Sequence, residues 1–246
     1  MSDQPDQLDQ SDQSDQSVQS VQSGQPARPA PAERKRSESL TGTVALEFPE
    51  FRDPPAEPMG LLNSWLAAAA EHGVREPRAL ALATADARGR SSSRILVINR
   101  ITEAGIVFAT HADSQKGREL VENPWASGVL YWRETSQQVV LAGPVRQLPD
   151  ATAEELWAAR AVFTHPMTTV SRQSRPVEDL DHFEELRAKA LELGRPGQPL
   201  PRPASYVAFE LVPDALEFWA DGTDRLHERL RYDRTADGWG VARLQP

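Results

Sequence analysis

The chain has 246 residues, a formal charge of -9, 39% hydrophobic and 26% charged residues, and no cysteine. That length supports one sizeable core, and the acidic balance argues against nucleic acid as a partner, since phosphate contacts need Lys and Arg gathered on one face. Without cysteine there are no disulfides, thiolate metal sites, iron–sulfur clusters or cysteine nucleophiles.

In chain order, residues 1–40 are low-complexity, with a repeating Asp-Gln-Ser pattern and then a Pro/Ala stretch that ends in Arg34-Lys35-Arg36. Such a segment buries too little apolar surface to offset chain ordering, so it is expected to be a disordered tail with a solvated charge run, followed by one domain over residues 41–246. Leu61, Leu62, Trp65 and Leu66 recur at helical spacing and predict an amphipathic helix over 59–71, ended by Gly73. From 78 onward short β-type runs predict strands over 79–85, 92–98 and 105–110, with turns at Gly89 and Gly105. A short helix over 114–121, capped by Ser114 and stopped by Asn123-Pro124, precedes strands over 127–133 and 137–148. A mostly helical excursion follows, with helices over 153–161 and 177–193, and then strands over 206–212, 216–219, 226–232 and 239–244. This order, β-rich, helical, β-rich, predicts an α+β protein that is mainly antiparallel β, a barrel with peripheral helices.

No apolar run approaches the roughly 18 to 20 residues needed to cross a bilayer, and the N-terminus lacks a secretory pattern, so the expectation is a cytoplasmic protein with no membrane partner. His72, His111, His165, His182 and His227 are scattered without metal-ligand spacing, so no metal is expected. G-x-G-x-x-G, P-loop, G-x-S-x-G and H-E-x-x-H signatures are absent. Arg94 on a strand, with Thr110, Ser114 and Lys116 leading into a helix, are residue types that hold a phosphate through charge-assisted hydrogen bonds; they are equally the types of ordinary surface charges. Trp219, a turn at Asp221-Gly222, and the mixed charges around His227 suit either the flank of a flat electron-accepting ring or a plain hairpin.

At these residues the chain closely resembles the pyridoxamine 5'-phosphate oxidase family, and within it the phenazine-biosynthesis branch of FMN-dependent oxidases. The resemblance covers residues 48–246 and is carried by Arg94-Ile95-Leu96-Val97-Ile98-Asn99, Ser114-Gln115-Lys116, Gln137-Gln138-Val139, Ser171-Arg172-Gln173-Ser174, and Glu217-Phe218-Trp219 with Arg225-Leu226-His227-Glu228-Arg229. It implies an FMN-binding split β-barrel that is homodimeric, with FMN in a cleft between two subunits. Arg94 and Lys116 then correspond to the phosphate cations, and Ala109, Thr110, Ser114 and Gln115 belong to the same end of the site. Ile95, Leu96, Val97, Ile98 and Asn99 run along the flavin, and Gln138 addresses its edge. Gln173, Ser174, Trp219 and Arg229 complete the site from the other subunit.

Two departures bear on substrate. Where vitamin-forming members have a lysine, this chain has Asn99, and their phosphate-binding tyrosine falls on Leu156. Arg160 and Thr164 still match. Losing a cation and a phenol from a phosphate clamp removes charge-assisted bonds that together contribute a few kcal/mol. The resemblance therefore implies oxidation of a partly reduced tricyclic phenazine carboxylic acid, hydride passing to FMN and electrons to O2 with formation of H2O2. Asn99, Arg160, Thr164, Arg225 and His227 are candidates to meet the substrate, with His227 and Arg225 closest to the chemistry. The alternatives are a true pyridoxamine/pyridoxine 5'-phosphate oxidase and a non-catalytic flavin-binding split barrel.

Overall fold

The structure, a computed structural model, describes residues 42–222 and 226–246. The expected tail, its Arg34-Lys35-Arg36 cluster and Arg225 lie outside the described residues. The first helix, α1 (Pro58–Glu71), starts with Pro at its first turn, which lacks an intrahelical partner for its N–H in any case. Its buried stripe, Leu61, Leu62, Trp65, Leu66 and Ala69, faces the sheet. The Trp65 ring anchors it: its centroid lies 4.8 Å from that of Phe48 and 5.2 Å from that of Phe218.

Ten antiparallel strands follow among the described residues: β1 (Ala79–Ala85), β2 (Ser91–Val97), β3 (Arg100–Ile101), β4 (Ile106–His111), β5 (Trp125–Trp132), β6 (Gln137–Gln147), β7 (Tyr206–Leu211), β8 (Ala215–Ala220), β9 (Glu228–Thr235) and β10 (Gly238–Leu244). The main order is β10-β9-β8-β6-β5-β1-β2, while β7 pairs with β6 and β4, and β4 with β3. The long strand β6 serves both parts of the sheet. Gln137 to Ala142 pair with β8, and Val145 to Gln147 pair with β7. The changeover falls at Gly143, where a side chain would meet the carbonyl oxygen of Val212 at 2.1 Å. Only a residue without a Cβ lets the two backbones come so close.

Period-2 alternation decides which face is core. Leu80, Leu82, Leu130, Val139, Leu141, Leu216, Phe218 and Leu230 are all completely buried on the face covered by α1. A fully buried side chain of this size contributes roughly 1.5–3 kcal/mol. The opposite face is open and carries exposed apolar side chains: Ile95 is 65% exposed, Val97 60% and Tyr131 54%.

The other α-helices are α2 (Gln115–Glu122), α3 (Asp150–Ala158), α4 (His165–Val170) and α5 (Leu180–Gly194). The expected helix over 153–161 begins earlier, directly after Pro149. That over 177–193 begins at Leu180, because Asp179 caps it by accepting the N–H of His182 at 2.8 Å. Sequence periodicity missed α4, whose six residues include two Thr and a Val that favour helices weakly. The strand expected from 226 starts at Glu228, which leaves Leu226 and His227 in the preceding loop. No helix among the described residues is long and apolar enough to cross a membrane, and no cluster of His, Asp and Glu among them is placed to hold a metal ion.

Candidate functional site

The barrel is split beside β2. This strand ends the sheet order, and β4 pairs with β3 and β7 but not with β2. A half-satisfied strand edge therefore borders a cleft, with its backbone groups turned toward it. Asn99 bridges the cleft's end, its Oδ1 accepting the N–H of Ala109 at 3.0 Å. Directly after β4 the chain turns into α2, and the buried Ser114 caps this helix by accepting the N–H of Gly117 at 3.2 Å.

That cap aims Lys116 inward. Lys116 Nζ donates to Thr110 Oγ1 at 3.1 Å and to Gln173 Oε1 at 3.0 Å, and Thr110 Oγ1 also donates to Gln173 Oε1 at 3.0 Å. The Thr110 and Ser114 hydroxyls lie 3.4 Å apart. Burial pushes the Lys116 ammonium down to about 8, and the neighbouring Arg94 charge adds to this while Glu119 opposes it. A cavity of about 350 Å³ opens here, lined by Ile95, Leu96, Ala109, Thr110, Lys116, Arg160 and Gln173 among others. The sequence reading assigns Gln173 to the other subunit's site; the structure seats its side chain on Thr110 and Lys116 of its own chain. Ser174 beside it has φ 67°, a left-handed backbone uncommon for serine. Of the remaining strand residues, Val97 points to the open face and Ile98 into the core, while Gln115 is exposed.

Arg94 sits behind the cavity wall rather than on it. Nη1 donates to Thr84 Oγ1 at 2.6 Å and Leu82 O at 3.4 Å; Nη2 donates to Ser92 Oγ at 2.5 Å and Glu119 Oε2 at 3.4 Å. Glu119 also accepts from Thr84 Oγ1, from Ser92 Oγ at 2.7 Å and from Gln115 Nε2 at 2.9 Å. Burial raises its carboxyl pKa, but the bonds from Thr84, Ser92 and Gln115 and the Arg94 charge together outweigh that and hold it below the usual carboxylate range.

On the helical side, Arg160 follows α3. Its Nε donates to Thr164 Oγ1 at 2.7 Å and its Nη2 to Thr168 Oγ1 at 3.4 Å, with the guanidinium carbon 5.9 Å from the Tyr206 ring centroid. Buried His165 stacks on Trp157 at 4.1 Å; its Nδ1 accepts from Leu200 N, so its Nε2 donates to the Arg160 carbonyl oxygen at 3.3 Å. His111, Met167, Thr168, Ser171 and Tyr206 also line the cavity and were not anticipated. Glu119 was missed too, although its i,i+4 spacing from Gln115 on a short helix is a readable signal.

A second group lies apart on the open face. Cross-strand register puts Tyr131, Gln138, Trp219 and Arg229 in one row across β5, β6, β8 and β9. The His227 ring lies 4.8 Å from that of Trp219, and its Nδ1 is buried with no hydrogen-bond partner among the described residues. Arg229 Nε donates to Glu217 Oε1 at 2.7 Å. From β2 to β8 is four strand spacings, roughly 19 Å along the sheet, farther than a tricyclic ring extends.

The family model described as pyridoxamine 5'-phosphate oxidase matches residues 66–220. The chain belongs to this family. The family's "Pyridoxine 5'-phosphate oxidase C-terminal dimerisation region" matches residues 206–246, which include β7 to β10. As a family member the chain is an FMN-dependent oxidoreductase, and its split barrel dimerises. It is 59% identical to a dihydrophenazinedicarboxylate synthase of Pseudomonas chlororaphis over 85% of this chain and 93% of that protein. It is 38% identical to a pyridoxine/pyridoxamine 5'-phosphate oxidase of Gluconobacter oxydans over 79% of this chain and 96% of that one. The crystal structure of PhzG from Burkholderia lata 383 in complex with tetrahydrophenazine-1-carboxylic acid superposes with a TM-score of 0.80 at 49% identity, covering 83% of this chain and 100% of that one.

Proposed function

We propose that this family member dehydrogenates a partly reduced phenazine carboxylic acid in phenazine biosynthesis, with FMN held in a cleft between two copies of the chain. The observation that carries the substrate assignment is the 59% identity to a dihydrophenazinedicarboxylate synthase, against 38% to a vitamin-forming oxidase. Asn99 and Leu156, at positions where vitamin-forming members hold a lysine and a tyrosine, agree with it.

The residues fit FMN. A buried ammonium among a hydroxyl and an amide, backed by a guanidinium, is a donor set for a phosphate. Lys116, Thr110, Ser114, Gln173 and Ser174 hold that end, with Arg94 behind them. Ile95, Leu96, Asn99 and Ala109 present backbone and amide groups to the ring system. The open face of a second copy, which carries Gln138, Trp219 and Arg229, closes the cleft. FMN supplies, when bound, a two-electron acceptor whose reduced form is reoxidised by O2 with H2O2 as the product. Arg160, braced by Thr164 and Thr168, orients a substrate carboxylate, and Arg225 offers a second cation. His227, its ring against Trp219 and its Nδ1 without a hydrogen-bond partner among the described residues, takes the proton released as the substrate ring loses hydride. The closed dimer keeps water from the reacting carbon.

Turnover tests this. The FMN-loaded protein is expected to form peroxide with reduced phenazine carboxylates and not with pyridoxamine 5'-phosphate. Peroxide from pyridoxamine 5'-phosphate alone would make it a vitamin oxidase, and bound FMN with neither turnover would make it a flavin carrier. His227→Ala is expected to slow anaerobic flavin reduction; an unchanged rate removes that role.

A further inference from the structure

Arg94 and Lys116 are the two cations at the phosphate end, yet they are not equally available. Lys116 lines the cavity. All four Nη hydrogens of Arg94 are already engaged by Leu82 O, Thr84, Ser92 and Glu119, which leaves only its Nε–H without a partner among the described residues. The two hydroxyls are themselves tied to the same carboxylate: Thr84 Oγ1 and Ser92 Oγ both donate to Glu119. Thr84 and Ser92 are cross-strand neighbours, with the Leu82 and Arg94 pair one step along on the same face. The arrangement is thus a closed ring of donors around one buried carboxylate, 8% exposed, reaching in from α2 three residues after Lys116.

A carboxylate in that place has the same sign as the phosphate the cations would hold. Coulomb repulsion across a few ångströms of partly desolvated protein is not screened by salt as it is at a surface. A guanidinium whose Nη hydrogens go to Leu82 O, to the Thr84 and Ser92 hydroxyls that Glu119 binds and, at 3.4 Å, to Glu119 itself cannot offer a bidentate face to a second anion without leaving these partners.

We propose that Glu119 is an internal competitor for Arg94, one that occupies the guanidinium and so sets cofactor affinity below what the two cations alone would give. Glu119 acts through Arg94, as a positioning residue, and does not touch the cofactor. The inference rests on the assignment of the FMN phosphate to this end of the cleft.

The test compares FMN with riboflavin, which has the same ring and no phosphate, binding to the full-length dimer freed of flavin, by flavin fluorescence at about pH 7. Glu119→Gln keeps an acceptor for Thr84, Ser92 and Arg94 and removes the charge. It is expected to tighten FMN binding at least about fivefold, the scale of one charge–charge interaction in a partly solvated site, and to leave riboflavin unchanged. Adding Arg94→Gln is expected to abolish the gain, a coupling that a double-mutant cycle reads directly. Glu119→Asp, which keeps the charge but withdraws it by one methylene, is expected to fall between, and it decides the matter should Glu119→Gln fail to fold. Unchanged or weaker FMN binding in a folded variant, or an equal gain for riboflavin, overturns the proposal. If the unaltered protein itself binds FMN no better than riboflavin, the phosphate assignment is what fails.

Discussion

Lys116 carries a pH dependence whose sign follows from its surroundings. Burial and Arg94 push its ammonium from 10.5 to about 8, so below that pH it is charged before an anion arrives. Above it, a proton must be taken up together with the anion, and the proton becomes scarcer as pH rises. FMN affinity is therefore expected to be level up to about pH 8 and then to weaken roughly tenfold per pH unit, until the higher pKa of the complex is reached. The second ionisation of the phosphate, near 6, lies outside this window. Riboflavin binding is expected to stay flat, and titrations of both flavins between about pH 6.5 and 9.5 check it. Parallel curves would show that Lys116 does not meet the phosphate. Lys116→Gln, which removes one charge-assisted bond of roughly 1.5–3 kcal/mol, is expected to weaken FMN ten- to a hundredfold and to erase the pH step.

At the scale of elements, helix α2 is held against the end of β4 by a glycine that has no spare room. A Cβ on Gly117 would lie 2.2 Å from the Ala112 carbonyl oxygen and 2.6 Å from that of His111, both backbone atoms that a rotamer change cannot move. Gly117→Ala is expected to destabilise the protein by roughly 1–3 kcal/mol or more, a melting point lower by about 3–10 °C. Because Thr110, Ser114 and Lys116 flank that turn, FMN affinity is expected to fall with it. Gly60 in α1 is the control: nothing lies within 4 Å of its Cβ position, it is exposed, and alanine is the better helix former. Gly60→Ala is expected to leave stability unchanged or raise it by up to about 1 kcal/mol. Thermal melts of the two variants side by side separate the steric effect from any general response to added side chains.

For the whole molecule, the open sheet face is the decisive feature. Ile95, Val97 and Tyr131 are more than half exposed on a β-surface whose other strands present Ala81, Val129 and Val140. Exposed apolar side chains grouped on one sheet face are the kind of surface that a dimer buries. The dimerisation region over residues 206–246 includes β8 and β9 of the same sheet. On the proposed function, an isologous contact in which each copy lends the other the same row of side chains would carry Trp219 and Arg229 to the β2 cleft of the second copy. Tyr131→Asp, a buried charge in that contact, is expected to give a folded monomer in light scattering with little FMN uptake, although the Lys116 cluster remains intact. A dimer that persists with this substitution would mean that the sheet face is not the contact.

How far the sequence reached differs by element. The strand over 79–85 and the α1 stripe were legible to within a residue because their apolar periodicity is carried locally, by alternating Ala-Leu and by Leu61, Leu62, Trp65 and Leu66. The Ser114 cap was legible for the same reason, and the Arg94, Lys116 and Trp219 assignments came from a resemblance spread over the whole domain. What residue order alone did not contain was the company each side chain keeps. Glu119 beneath Arg94, Gln173 on its own chain's Lys116, and the separation of Trp219 from β2 depend on strands that are distant in sequence becoming neighbours. Local chemistry thus determined the elements and the inventory of charged and aromatic groups. Only tertiary packing, which fixes sheet order and buries one carboxylate against one guanidinium, decided which cation is free, and left half of the candidate site facing outward.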